Sequence, residues 1–203
     1  NVKVTDIVKS DYNNSDNHTF SSTTINNIYL SYATLTLNND VTVSGKVVLG
    51  GGTLSDNGKK LTVTGTLQLD DNTTFSLGSG DHTHTFANSS STTWASGKTL
   101  TISGWSGTEG SSGTAGKIKV GTDNTGLSST QLAMITFSGH SNGTTILSTG
   151  EIVPAGTNYY FRSKNSSGTW GTASDWEYSS DNQNWSSSSI VPGANALGIT
   201  IQS

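Results

Sequence analysis

Apolar positions in this chain come in short alternating runs. In Leu61-Thr-Val63 and Leu67-Gln-Leu69 the outer residues are apolar and the middle one polar, and Gly, Asn, Asp or Ser follows soon after. A period of two marks strands with one buried face, and the residues between the runs are those that turns select. The runs themselves recur. Residues 41–54, VTVSGKVVLGGGTL, align without gaps on residues 61–74, LTVTGTLQLDDNTT. Val41, Val43, Gly45, Leu49 and Thr53 then fall on Leu61, Val63, Gly65, Leu69 and Thr73, and the opening returns at Leu100-Thr-Ile-Ser-Gly104 and partly at Leu35-Thr-Leu37.

Each 20-residue period holds three runs: Val41–Val43, Val47–Leu49 and a stretch around Leu54, then Leu61–Val63, Leu67–Leu69 and Phe75–Leu77. Three strands per repeat predict an all-β fold, specifically a parallel β-helix (β-solenoid) in which each coil stacks on the last and alternate side chains fill a narrow core. An antiparallel sandwich of short strands shares this spacing and is the alternative. Gly45 and Gly65 fall at equivalent corners, where we expect a positive φ that glycine adopts without strain.

Further along, residues 105–116 (WSGTEGSSGTAG) read as a flexible loop. Residues 127–135 read as a helix, capped by Ser128 or Ser129, with Leu132 and Ile135 on one face. Residues 144–153 return to strand patterning and end at Pro154. From Asn158 the texture changes, with Tyr159, Tyr160, Phe161, Trp170, Trp176, Tyr178 and Trp185 crowded together. This divides the chain into two domains: a solenoid over 1–157, its repeat clearest over 34–104, and an aromatic-rich cap or docking module over 158–203.

Composition changes the picture in a few respects. With 31% apolar and 12% charged residues among 203, the chain would suit disorder, were the apolar residues not so strictly patterned. Net charge is −4, with nine Lys and the single Arg162, and no basic cluster of the kind that phosphates demand. We therefore expect no nucleic-acid partner. No run approaches the roughly 20 apolar residues of a bilayer-spanning helix, so no membrane insertion is expected. Cysteine is absent, which excludes disulfides and thiolate metal sites. The polar, strand-like opening from Asn1 to Val8 reads as a mature form or a fragment rather than a leader. Abundant Ser, Thr, Asn and Gly with scarce Lys, Arg and Glu point to an extracellular bacterial protein.

Candidate chemistry is sparse. Glycoside hydrolysis needs two carboxylates across one groove. Of Asp40, Asp56, Asp70, Asp71 and Asp81, only Asp70 and Asp71 approach a pair, and adjacent strand residues face opposite ways. They sit in an Asp-Asp-Asn turn, where Asp serves local hydrogen bonding. Arg162, the one arginine a lyase could use, lies outside the repeat, and His18, His82, His84 and His140 suggest no serine triad. We expect no enzyme and no cofactor. His82 and His84, two apart on an extended segment, could hold Zn or Ni but lack a visible third ligand, and an exposed polar strand is the plainer reading. Asp123-Asn124 and Asp181-Asn-Gln-Asn184 offer oxygens to calcium without matching a full calcium loop. Flat Thr-rich β faces order water, and Thr-x-Thr occurs at Thr34–Thr36, Thr62–Thr64 and Thr83–Thr85. Those spacings predict no common column, and hence no ice-binding face. Trp170, Trp176 and Trp185 are a candidate carbohydrate-binding set, although such aromatics more often build a small core.

Two stretches resemble known surface proteins. Residues 94–154 run from WASGKTLTISGWSG through KIKVGTDNTGLSSTQLAMITF to ILSTGEIVP. This is similar to a module of large bacterial surface proteins, including autotransporter-like β-helix passengers and PEP-CTERM exported proteins. Residues 159–202, with W..AS.WE.S.D...W followed by P and then I.I, resemble a segment of Bacteroidota surface proteins exported by the type IX system. The resemblance implies a cell-surface or extracellular structural or adhesive protein and no particular activity. The sorting domain usual at the C-terminus of such proteins is not seen, which fits a processed chain or a fragment. In those proteins the I.I strand leads into further β-helix coils. An uncovered coil exposes backbone groups that another chain can pair with. The expected partner is therefore a second copy, joined head to tail into a filament. Leu197, Ile199 and Ile201 would dock at one end, and Val2, Val4 and Ile7 could be donated as a strand at the other. Other cell-surface components are the alternative partners.

Overall fold

A computed structural model describes residues 17–20, 24–156, 159–166, 169–188, 191–192 and 196–202. The chain divides into two compact units, Asn1–Ala155 and Gly156–Ser203. The first unit opens with β1 (Asn17–Phe20), β2 (Thr24–Ile25), β3 (Ile28–Leu30), β4 (Ala33–Leu37), β5 (Val41–Val43), β6 (Val47–Ser55) and β7 (Leu61–Val63). It continues through β8 (Leu67–Ser76), β9 (Thr83–Phe86), β10 (Leu100–Ser103), β11 (Lys117–Val120), the helical turn α1 (Ser129–Leu132), β12 (Ile135–Phe137), β13 (Thr144–Ile146) and β14 (Glu151–Pro154). The protein is predominantly β, and among the described residues no helix is long and apolar enough to cross a membrane.

From β4 to β12 the chain alternates between two sheets. One has the order β1-β4-β6-β8-β10-β12, with β3 also beside β6, and the other runs β13-β14-β11-β9-β7-β5-β2. Pairing in the first sheet is parallel throughout. In the second it is parallel from β2 to β11 and turns antiparallel at β14 and β13. Inward residues of both sheets feed one core: Leu35, Leu54, Phe75, Ile102 and Phe137 stand in register across five strands, all buried. Each such side chain contributes about 1.5–3 kcal/mol on leaving water.

The 20-residue repeat appears as register, with Val41 opposite Leu61 and Val47 opposite Leu67. It differs from the expectation in two ways. The second and third runs of each repeat are not separate strands, because β6 and β8 continue through a bend; Gly51 and Gly52, at φ of 111° and 89°, supply it in β6. A bulge then shifts the register by one residue. Leu49 still faces Leu69, but Gly50 faces Asp71, so Thr53 pairs with Thr74 and not with Thr73. A one-residue slip exchanges the two faces of a strand, so Thr73 is buried while Thr74 points outward.

The corner glycines also have a different cause. Neither Gly45 nor Gly65 has a positive φ. A Cβ on Gly65 would lie 2.4 Å from the Gly45 carbonyl oxygen, and one on Gly45 would lie 2.7 Å from that of Asn26. Close stacking requires glycine here. The 105–116 segment is tied down rather than free: Gly107 bridges Gly113, and the buried Glu151 accepts hydrogen bonds from Ser112 Oγ at 2.6 Å and Gly113 N–H at 2.8 Å. The helix is a single turn held by a capping box between Ser128 and Gln131, and Ile135 belongs to the strand after it.

In the second unit, β15 (Tyr160–Ser163), β16 (Trp176–Ser179), β17 (Ser186–Ser187) and β18 (Gly198–Thr200) form a sheet in the order β17-β16-β15-β18. Phe161 and Trp176 are its buried aromatic residues.

Candidate functional sites

Asp56 directly follows β6 in one sheet, and His82 and His84 lie at β9 in the other. All three are buried, so the two histidines point inward, contrary to the exposed strand expected from sequence. The phase of β9 explains it: Phe86, two residues beyond His84, is also buried. Asp56 supplies the third potential ligand that the sequence did not reveal, and the candidate donor atoms lie within 4.8 Å of one another.

Hydrogen bonding decides what this cluster can do. Asp56 Oδ1 accepts from the N–H groups of Gly58 at 2.8 Å and Gly78 at 2.5 Å, and Oδ2 faces Nε2 of both His82 and His84 at 2.8 Å. The Leu61 N–H donates to His84 Nδ1 at 3.1 Å, so that nitrogen carries the lone pair and Nε2 carries the proton. A proton on Nε2 rules that atom out as a metal ligand. The trio therefore does not fit a three-ligand metal centre. His82 Nδ1 lies 2.9 Å from the Gly80 carbonyl and its Nε2 lies 2.8 Å from Asp56 Oδ2. Burial pushes the Asp56 carboxyl up, but hydrogen bonds from His84, Gly58, His82 and Gly78 more than reverse this and hold it below its ordinary 3.8. Burial holds His84 below 6.5 despite Asp56, and the nearby charge of His82 acts in the same direction. The result is a buried, hydrogen-bonded pin joining the two sheets.

The other acidic candidates are also committed to structure. Asp71 receives the Tyr32 hydroxyl and Lys98 Nζ beside the bulge; the Lys98 hydrogen bond leads in holding its carboxyl at about 2. Asp70 accepts from Gln68, Asp40 from the Lys60 N–H, and the exposed Asp81 from Lys117. Asp123 closes a local turn with Thr125, and Asp181 accepts from Ser179, Gln183 and Asn184. His140 pairs with Glu109 at 2.7 Å, and the side chain of His18 lies outside the description.

The three tryptophans do not form a shared platform. Trp176 is buried, Trp170 is 56% exposed but packs edge-on against it at 80°, and Arg162 lies over the half-buried Trp185 ring at 4.4 Å. Of the docking residues, Val2, Val4 and Ile7 lie outside the described residues. Leu197, Ile199 and Ile201 are exposed at 51%, 41% and 57%; Ile199 lies on β18, the outermost strand of its sheet, which pairs in parallel with β15, and Leu197 and Ile201 flank it.

A further surface was missed in the sequence. Of the three Thr-x-Thr pairs, Thr34–Thr36 lies in the first sheet while Thr62 and Thr85 pair with each other in the second, so the expected lack of any common column does not hold for those two, and Thr34 and Thr36 stack with further hydroxyl residues on the outer face of the first sheet. Thr34, Thr53, Thr74, Thr101 and Thr136 form one rank, and Thr36, Ser55, Ser76 and Ser103 form a second beside it. The pattern Thr-apolar-Thr/Ser at 34–36, 53–55, 74–76 and 101–103 was the available signal. Unequal spacings of 19, 21, 27 and 35 residues along the first rank concealed it.

Comparison with known proteins finds no matching family, no matching curated protein and no matching solved structure.

Proposed function

We propose that the chain is an extracellular structural or adhesive protein, a parallel β-solenoid whose copies associate head to tail. The observation that carries this reading is the exposed apolar row of Ile199 on the edge strand β18 and Leu197 and Ile201 at its two ends. An edge strand offers a line of backbone donors and acceptors, and an apolar row beside it adds burial on pairing. Parallel strands stacked over a continuous core in the first unit support the solenoid, since that arrangement places few demands on its outer residues. The commitment of the acidic residues to turns and to the buried pin favours structure over catalysis. A carbohydrate-binding role draws no support from tryptophans packed edge-on and beneath an arginine.

The test is negative-stain electron microscopy across a concentration series, with the full chain beside a variant lacking residues 196–203. Filaments of the full chain that disappear in the truncated one support the proposal. Monodisperse particles at every concentration, or filaments indifferent to the truncation, overturn it.

A further inference from the structure

The two hydroxyl ranks on the first sheet form a net. Neighbouring strands lie about 4.8 Å apart, and residues two apart on one strand about 6.6 Å apart, so the hydroxyl-bearing positions repeat in two directions at once. Across both ranks every position from β4 to β10 is Thr or Ser, without a charge, an amide or an aromatic ring. Between the ranks, Leu35, Leu54, Phe75 and Ile102 point the other way into the core, each fully buried. A close-packed interior fixes the backbone beneath the net, and the branched Cβ of threonine restricts χ1. The net is thus ordered before any ligand arrives, which lowers the entropic cost of binding.

We propose that this face binds the surface of crystalline ice. A two-dimensional repeat favours a ligand that itself repeats in two dimensions over a single small molecule. Ice presents donors and acceptors in equal number, and a hydroxyl is both. Threonine methyl groups add apolar contacts between the anchoring oxygens. An ionic ligand would call for opposite charge, which the ranks lack, and a sugar lattice would call for aromatic faces, which they also lack. The hydroxyls are largely unspent: among the described residues their one mutual hydrogen bond is from Thr136 Oγ1 to Thr101 Oγ1, at 3.4 Å. A ladder serving only the sheet would engage more of them. The proposal stands apart from head-to-tail association, because it concerns the face of the first sheet and not the edge strand β18.

The experiment grows ice slowly in a solution of fluorescently labelled full chain and measures the fraction incorporated, alongside inhibition of ice recrystallisation. Thr53→Tyr and Thr74→Tyr place a bulky ring at the centre of the net while leaving its buried face intact. Thr42→Tyr and Thr62→Tyr do the same on the outer face of the second sheet, where Thr42, Thr62 and Thr85 also stack but the column ends at the charged Lys119. Circular dichroism melts confirm that each variant folds. If either first-sheet variant fails to fold, Thr53→Val and Thr74→Val replace them, keeping the shape and removing the hydroxyl. We expect incorporation of the parent chain and a loss of about tenfold or more in the first-sheet variants, the scale of removing a central contact. The second-sheet variants should match the parent. Exclusion of the parent from ice, incorporation indifferent to the first-sheet variants, or preferential binding to crystalline cellulose or chitin overturns the proposal.

Discussion

Replacing Asp56 by alanine tests whether the carboxylate pins the two sheets together. In the native chain it accepts four hydrogen bonds, two from backbone N–H groups and two from imidazoles, at 2.5 to 2.8 Å. Alanine keeps none of them. A buried donor left without a partner costs about 1–3 kcal/mol. The half-buried Gly58 N–H can turn to water, which leaves the Gly78 N–H and the two buried imidazoles to lose their acceptor. With these three groups each at the lower end of that range, we expect a loss of about 3–5 kcal/mol, hence a fall in Tm of about 6–20 °C for a unit of this size. The assay is thermal unfolding followed by circular dichroism at neutral pH. The pH dependence supplies a second signature. His84 has a folded pKa below 6.5, so on acidification the unfolded chain takes up this proton first and stability declines as pH falls below 6.5. The Asp56 contribution is fully present above 3.8 and is lost as pH falls through its lower folded value. The gap between parent and Asp56→Ala should therefore narrow only below pH 3.8. A Tm change under about 3 °C at neutral pH, equivalent to about 1 kcal/mol, would refute the pin.

Packing sets two further outcomes. Gly65→Ala would press a methyl group into the Gly45 carbonyl, 2.4 Å away, and should cost about 1–3 kcal/mol in denaturant unfolding; Gly171→Ala, with open space around it, should stay within about 0.5 kcal/mol of the parent. Gln131→Ala removes the side chain whose Nε2 holds the carbonyls of Ser89 and Thr92 at 2.9 Å, so limited proteolysis should cut within residues 87–99 at least about fivefold faster, in line with the 1–3 kcal/mol cost of stranding buried groups.

How much of this was legible in the sequence depended on whether the signal was local. Alternation in Leu61-Thr-Val63 and Leu67-Gln-Leu69 identified strands, and the 20-residue self-similarity matched the observed pairing of β5 with β7. The bulge beside Leu49 was not legible, because an added residue leaves composition unchanged while exchanging the faces of every strand residue beyond it; a gapless alignment placed Thr53 on Thr73 when the partner is Thr74. Asp56 resembled a turn residue, since Asn57 and Gly58 come directly after it, and its imidazole partners lie 26 and 28 residues away with no motif joining them. The corner glycines were legible as glycines but not as to cause: a steric demand made by the neighbouring strand leaves the same residue behind as a demand for positive φ. The hydroxyl ranks required both the bulge and the uneven spacings to be known before they could align.

Those uneven spacings have a consequence of their own. The first sheet holds its register although 19 residues separate one pair of stacked threonines and 35 another. Closing a longer loop costs only about 0.6 kcal/mol for each doubling of its length. Sequence can thus be added between strands at small thermodynamic penalty while the outward face of the first sheet keeps its spacing. The segments at 87–99 and 104–116 already occupy such positions, each secured by a buried side chain, Gln131 for one and Glu151 for the other. They mark insertion points where foreign peptides could be displayed at defined intervals along a fixed lattice, which makes the fold a natural ruler for arranging grafted epitopes or enzymes.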